Sequence, residues 1–487
     1  MKRLIVIVFI IFGAFLTLCL YRTYAYDTSV VEEVPSTTDL EYTFKIGNSS
    51  IKQITVDSGE TRYYDIVLGN PNNAKISYGV YYEMVSPSTK PDGYSIEYTS
   101  KSTGNSTGKV DKNGNITLNL VVTNASSSTV TVKLGTVAGY VNGGELTLGS
   151  GQVIIPKALV NAVELITNLN DGTTGDSGSG VYKIIHSAIP AGSSATGSEI
   201  PAVTDYRYYG PSPNNYICLD MEGQSTCPDK HLYRIIGSIY DEKENTNRLK
   251  LIKATPLTDG TTSEFSWDYR VFNNGGVVYS NIWATITSGN YSNSLTSGSQ
   301  LMKLLNSGAW WNGTSGSYYN NSTTATTVNF TNYKLSDKAK SYITTSRYYL
   351  GGYNNNNPPL TNEMYGYERG TLRYNTDRPL YWEGMVGLMY PSDYGYVAGN
   401  TCVTGTKLFD YRGGCMNKDW LYISNTFQLL MSPGSGGSDF VFYVPSPGYV
   451  GYVNSYFDIL VRPVFYLTSS ASISDGEGTE TNPYILS

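Results

Sequence analysis

Between residues 39 and 156 the hydrophobic positions recur at every second residue. Ile76, Tyr78, Val80, Tyr82 and Met84 share one face; so do Ile116, Leu118, Leu120 and Val122, and again Val130, Val132 and Leu134. This is the period of β-strands, in which successive side chains point to opposite sides. The turn-rich clusters "GNPNNA", "DKNGN" and "TNASSS" separate the runs, and no helical period intervenes. Because each apolar face needs a second sheet to cover it, the pattern predicts an all-β sandwich over 39–156.

The period changes at "KALVNAVELITNLN", where Leu159, Val163 and Ile166 lie three to four residues apart. A short amphipathic helix is expected there. With the following "DGTTGDSGSGV", which reads as a Gly-rich linker by composition, it occupies 157–180. Asp171 and Asp176 lack the closing glutamate of a calcium loop. From 181 to 487 the pattern is mixed. "LYRIIGSIY" and "NRLKLIKATPL" predict paired strands joined by the charged turn "DEKENT". "SGSQLMKLLNSG" predicts a helix capped by Ser299, and "LSDKAKSYITTSRYYLGG" another capped near Ser336. The final stretch, from Phe457, reads as strands closing one large α+β domain.

The amino terminus follows a different logic. A basic start at Lys2 and Arg3 precedes an apolar run from Leu4 to Leu20, with small residues at Thr23 and Ala25. Residues 1–25 therefore read as a secretory signal peptide or, if uncleaved, a membrane anchor. Residues 26–38 show no period and read as a tether. Membrane contact is expected only through this segment, and the chain is expected to be secreted or held at the cell surface.

Charge and composition narrow the function classes. The formal charge is −6, with Lys and Arg scattered, so there is no basic stripe of the kind nucleic-acid binding needs. The 44 Tyr and 50 Gly in 487 residues fit β-rich extracellular material. Cys218, Cys227, Cys402 and Cys415 form two short-range pairs. In an exported protein they are expected as disulfides Cys218–Cys227 and Cys402–Cys415; the spacing is too wide for an ordinary four-thiolate zinc site.

The succession "LYRIIG", "LKLIKA", "SWDY", "LMKLLN", "YYLGG", "MYGYERG", "WEGMVGLMYPSDYGY", "DWLY", "VRPVFYL" and "GEGTETNPYIL" resembles an uncharacterised domain of secreted surface proteins from Gram-positive gut-type bacteria. At a greater distance, the order of strands, helices and long loops is similar to the C-type-lectin-like fold of formylglycine-generating-enzyme relatives. The resemblance implies a surface protein and leaves activity open. The oxidative chemistry of those enzymes would need a reactive cysteine pair; Cys402 and Cys415 flank a loop and are better explained as a staple.

Candidate chemistry favours binding over catalysis. Only His186 and His231 could serve as imidazole bases, and both enter apparent strands as packing or surface residues. Glu363, Glu368, Asp377, Glu383 and Asp393 are the acids a glycoside hydrolase could pair, but Arg369, Arg373 and Arg378 lie beside them. Aromatic and Asn-rich loops offer Trp310, Trp311, Tyr318, Tyr319, Tyr353 and Tyr367 as a ligand surface, with Glu383 and Asp393 as acceptors. Trp267, Trp382 and Trp420 are expected in the core. "MVGLMYPSDYGY" reads as a buried strand, Met385 to Met389, ending in a turn at Pro391 where Asp393 accepts backbone hydrogen bonds. The expected function is adhesion or recognition of an extracellular glycan or protein. The alternatives are a structural surface component assembling through sandwich edges and a carboxylate-dependent glycoside hydrolase. No cofactor is required, with calcium left open.

Overall fold

A computed structural model describes residues 53–140 and 151–487, apart from 101, 222–223, 225, 272–275, 285, 288–289, 292–297, 375 and 377, together with the backbone of 43–46. The apolar amino-terminal run and the tether lie outside the described residues. The protein is rich in β-structure, with several sheets in two compact units. Most of the chain up to Leu159 forms the first; Val160–Asp220 and Thr226–Leu486 form the second.

The first unit contains β1 (Thr43–Ile46), β2 (Gln53–Val56), β3 (Glu60–Gly69), β4 (Ile76–Ser86), β5 (Tyr94–Thr99), β6 (Thr107–Val110), β7 (Asn115–Asn124), β8 (Val130–Tyr140), β9 (Gln152–Val153) and β10 (Ile155–Lys157). One sheet has the order β1-β3-β7-β5-β10; the other runs β2-β8-β4-β6, with β9 added on β4. The period-two residues of both sheets enter one core: Ile76, Tyr78, Val80 and Tyr82 from β4, Leu118, Leu120 and Val122 from β7, and Val130, Val132 and Leu134 from β8. Buried amides finish the turns. The Asn124 side chain donates to the carbonyls of Val56 (2.9 Å) and Ser128 (2.8 Å).

The second unit opens with β11 (Val160–Asn161) and α1 (Ala162–Asn168), capped by the Asn161 side chain. Its main sheet contains β12 (Gly180–His186), β13 (Val203–Tyr209), β14 (Tyr216–Cys218), β15 (Leu232–Asp241) and β16 (Thr246–Lys253), with later strands including Val464–Leu467 beside β16. The expected hairpin is β15–β16, and Asn245 in its turn has a positive φ of 52°. β13 is shared, pairing with β12 on one edge and with β15 at Tyr206 and Arg207 on the other. The bulge at Gly237 permits that junction, since a Cβ there would lie 2.3 Å from the Tyr206 carbonyl oxygen.

Among the described residues six further helices follow: α2 (Gln300–Asn306), α3 (Ala309–Asn312), α4 (Asp337–Ser341), α5 (Thr361–Glu368), α6 (Pro391–Val397) and α7 (Asn400–Gly405). Ser299 and Ser336 cap α2 and α4 as their sequences predict, each hydroxyl accepting a backbone N–H at 3.1 Å.

Two expectations change form. The Gly-rich stretch 171–180 is packed into the second unit: buried Gly175 accepts from the Asn400 N–H at 3.0 Å, and Asp176 accepts from the Thr401 hydroxyl at 3.0 Å. The turn at Pro391 is the first turn of α6, with Pro391 opening the helix and Asp393 closing a capping box on Tyr390. Pro-Ser-Asp reads equally as turn or helix start. All seven residues of α6 are buried, so no amphipathic period distinguished the two.

Both expected disulfides are formed, Cys218–Cys227 and Cys402–Cys415. The second ties α7 to a loop 13 residues away in sequence. Replacing both of its cysteines by serine is expected to cost about 3 kcal/mol, because the cross-link removes loop-closure entropy from the unfolded chain. Urea unfolding of the Cys402→Ser/Cys415→Ser variant checks this; a loss below 1 kcal/mol would mean that the loop is held by its packing alone.

Candidate functional site

β12 and β13 present a polar face to α5, α6 and α7. Alternation along β12 puts Tyr182, Ile184 and His186 on that face. The register sets Arg207 opposite Tyr182 and Asp205 opposite Ile184. These charges stay buried because each has a partner. Asp205 Oδ2 receives His186 Nε2 at 2.8 Å and Arg207 NH2 at 2.9 Å, while Oδ1 receives the Tyr240 N–H at 2.9 Å. Arg207 NH1 reaches Asp393 Oδ1 at 2.7 Å, and Asp393 Oδ2 accepts from Lys250 Nζ at 2.5 Å and the Tyr390 N–H at 2.9 Å.

The electrostatics follow from this pairing. Burial opposes ionisation of Asp205, yet His186 and Arg207 hold its carboxyl below the usual range. Burial likewise opposes Asp393, and Lys250 and Arg207 overcome it. His186 is shifted the other way: burial lowers its pKa despite Asp205, so at neutral pH the ring is uncharged. Its Nε2–H donates to Asp205, leaving Nδ1 to accept from the Tyr396 hydroxyl at 3.4 Å. Both ring nitrogens are thus engaged.

A second buried layer surrounds Arg369. Its guanidinium lies 3.6 Å from the Tyr365 ring centre and pairs with Glu242 Oε1 (3.4 Å) and Glu368 Oε2 (3.6 Å). Glu368 also accepts from the backbone N–H and hydroxyl of Ser392. Burial pushes Glu368 up to about 7, against the opposing pull of Arg369 and Ser392. The folded state therefore holds this proton more tightly than the unfolded chain, and stability falls as pH rises from the ordinary value of 4.5 to 7. Glu368→Gln is expected to flatten that limb by on the order of 2–3 kcal/mol between pH 5 and 8. Urea midpoints at the two pH values test it; an unchanged slope would assign the limb to another group.

Above these layers opens a cleft of about 670 Å³, lined by residues 182–189 of the β12 region, the 170–174 turn, α5, α6 and α7. Its rim offers the exposed Asn362 and Thr404 and the half-buried Asn400, with the strand edge at Lys183 and Ile185 alongside; its floor is His186, Tyr365 and Tyr396. Gly399 places α7 against the turn, with φ at 88° and no room for a Cβ, which would lie 2.4 Å from the Gly175 carbonyl oxygen. The floor rings are already used. His186 stacks on Tyr365 at 3.8 Å with planes 7° apart, Arg369 covers the other face, and Arg207 lies over Tyr396 at 4.9 Å.

None of the aromatic-loop candidates lines this cleft. Trp310 is a core residue at 1% exposure, and Tyr318 is buried with its hydroxyl on the Ser266 carbonyl at 2.7 Å. Trp311 and Tyr319 are half-buried; the Lys340 ammonium lies 5.3 Å from the Trp311 ring, and Gln300 brackets the Tyr319 backbone. Tyr353 and Tyr367 are brought together, ring centres 4.7 Å apart, with Tyr367 exposed. Glu383 pairs across strands with Arg347 at 2.8 Å. Asp393 is fully buried, so it supports the frame and does not face a ligand.

Among the acids, Glu363 is exposed and Glu368 is buried; Asp377 lies outside the described residues. Trp267, Trp382 and Trp420 are in the interior, as expected. Of the two histidines, His231 is buried away from the cleft, whereas His186, read as packing or surface, packs and also lines it. The sequence carried one signal for this place: "VTDYRYY" sets Asp205 and Arg207 two apart in a strand, hence on one face, with apolar neighbours. Among the described residues, no group of three or more His, Cys, Asp or Glu side chains could hold a metal ion.

Comparison with known proteins returns no match, either to protein-family models or to curated proteins.

Proposed function

We propose that this is an exported binding protein, acting in adhesion or recognition, and that its ligand enters the cleft beside β12. The two disulfides fit an oxidising, extracellular setting, and among the described residues no helix is long and apolar enough to cross a membrane. We read the first unit as a β-sandwich, from its two sheets around one core. The second we read as an α+β domain of C-type-lectin-like kind, from the β15–β16 hairpin, the returning Val464–Leu467 strand and the short helices between.

The observation that carries the reading is the contrast between the cleft's floor and its rim. Beneath it, His186, Asp205, Arg207 and Asp393 satisfy one another, so they serve as a rigid support. At the rim, the amides of Asn362 and Asn400 and the Thr404 hydroxyl are available for contact, with the edge of β12 at Lys183 and Ile185 beside them. The hydrolase alternative has less support, because Glu383 is paired and Glu368 and Asp393 are buried.

The test places a plug in the cleft. Thr404 is exposed on α7 and lines the cleft, so Thr404→Trp fills space without disturbing the core. Against immobilised glycans, mucins and extracellular-matrix proteins, the wild-type chain is expected to bind saturably and Thr404→Trp at least tenfold more weakly. Equal binding by the two proteins would move the site elsewhere, first to the pair formed by exposed Tyr367 and half-buried Tyr353.

A further inference from the structure

The cleft is bounded by a strand edge that, among the described residues, is bridged at Val181 alone. β12 pairs with β13 on one side only; on the other, Asn170 bridges at Val181 and the edge then runs open through Lys183 and Ile185. Outside the β13 ladder, residues 183–187 make no backbone hydrogen bond to a described residue.

Three side chains reveal which backbone groups point outward. Asn247 donates to the Thr204 carbonyl and Trp420 to the Tyr208 carbonyl, so both β13 carbonyls face away from β12. In the register these residues stand opposite Ile185 and Val181. From the β12 side, Asn170 Nδ2 donates to the Val181 carbonyl at 3.0 Å. In an antiparallel pair, residues alternate between bonding inward and pointing outward. Tyr182, Ile184 and His186 therefore bond to β13, while the N–H and C=O of Lys183 and Ile185 point into the open edge.

Natural edges are usually blunted by charge, proline or a covering segment. Here Lys183 is the only blunting charge, and beside it Ile185 is 69% exposed. We propose that β12 accepts an extended peptide segment of another protein as an added strand, hydrogen-bonded to Lys183 and Ile185 and bearing acidic and apolar side chains. The proposal rests on the cleft reading above and deepens it by naming the ligand class.

The composition of the segment follows from the surroundings. Among the described residues Lys183 is the only lysine or arginine beside the cleft, no Asp or Glu lines it, and Lys183 is in no ion pair; its side chain and that of Ile185 project from the face of β12 opposite to Tyr182, Ile184 and His186. An acidic side chain on that face of the added strand meets this unpaired ammonium, and an apolar one meets Ile185. A sugar is less well served, because Tyr365 has a cation on one face and an imidazole on the other and cannot stack on a pyranose ring. A second copy of the chain would bring another Lys183 and another net charge of −6. At about 3.3 Å per residue, roughly five residues of an added strand would span the open edge and the cleft beside it.

The experiment uses the full chain and a library of random heptapeptides, with enriched sequences remade as synthetic peptides. Alternating sequences with acidic and apolar residues are expected. Ile185→Pro removes an outward N–H while leaving the β13 ladder intact; it should weaken binding at least tenfold with an unchanged circular-dichroism spectrum and melting temperature. N-methylating the peptide amides that face β12 should do the same, and Lys183→Glu should reverse the charge preference.

Peptides that bind Ile185→Pro as tightly as wild type, or that tolerate N-methylation, overturn strand addition. Failure to enrich any peptide while an immobilised glycan binds wild type but not Thr404→Trp overturns it too and leaves the cleft reading standing. A folded chain that binds neither class overturns both.

Discussion

Asp393→Ala is expected to destabilise the second unit by roughly 3–5 kcal/mol, the cost of leaving a buried charge unpaired. Asp393 is fully buried and is the counter-charge of both Arg207 (2.7 Å) and Lys250 (2.5 Å). Lys250 Nζ has no other ion-pair partner among the described residues; it lies between the rings of Tyr390 and Tyr466, at 4.4 and 5.4 Å. Removing the carboxylate strands an ammonium in that aromatic cage, and the Tyr390 N–H loses its acceptor as well.

Adding Lys250→Met to Asp393→Ala is therefore expected to recover part of the loss, because it removes the stranded charge. A double variant less stable than Asp393→Ala alone would show that Lys250 contributes mainly by packing. The same pair sets a pH dependence. With its folded pKa held down to about 2, Asp393 contributes stability that is present above its ordinary value of 3.8 and is lost as pH falls towards 2. Asp393→Ala should shrink this acid limb, and denaturation midpoints at pH 5 and pH 3 measure it.

The second large effect lies in the aromatic core. Trp267 is fully buried and packs edge-to-face on Trp283, ring centres 4.8 Å apart; Trp283 in turn meets Trp382 at 6.1 Å. Trp267→Ala is expected to cost about 3–5 kcal/mol through lost burial and the cavity left behind. Its indole N–H, however, has no hydrogen-bond acceptor among the described residues. Trp267→Phe sheds that unsatisfied donor while keeping a ring, so it should cost less than half as much. Calorimetry on the two variants separates the contributions; equal losses would mean that the indole's shape, and not merely its apolar area, holds the stack.

Where the governing physics acts over a few residues, the sequence was legible. Period-two runs placed the strands of the first unit, Ser299 and Ser336 marked two helix starts, and short spacing paired the four cysteines. Each signal sits within about a dozen residues, so alternation, capping geometry or loop closure reveals it without knowledge of the rest of the fold. The core tryptophans were legible for a related reason: apolar neighbours at strand spacing mark a buried face.

The cleft was not legible, because its parts come from 170–189, 362–366 and 396–404, and only the tertiary structure brings them together. Hydropathy also misleads here. His186, Asp205, Arg207, Lys250 and Asp393 are polar by type and buried in fact, and nothing short of the contacts among them shows that each charge has its opposite within hydrogen-bond reach. Conversely, Trp310 and Tyr318 have the composition of a binding loop and lie in the core. The kind of object could be read from the sequence alone: a disulfide-stapled, β-rich chain of more than one unit. Which face can meet a ligand was decided by the long-range pairing of β12 with β13 and by the helices laid over it, since burial is a property of what surrounds a side chain and not of the side chain alone.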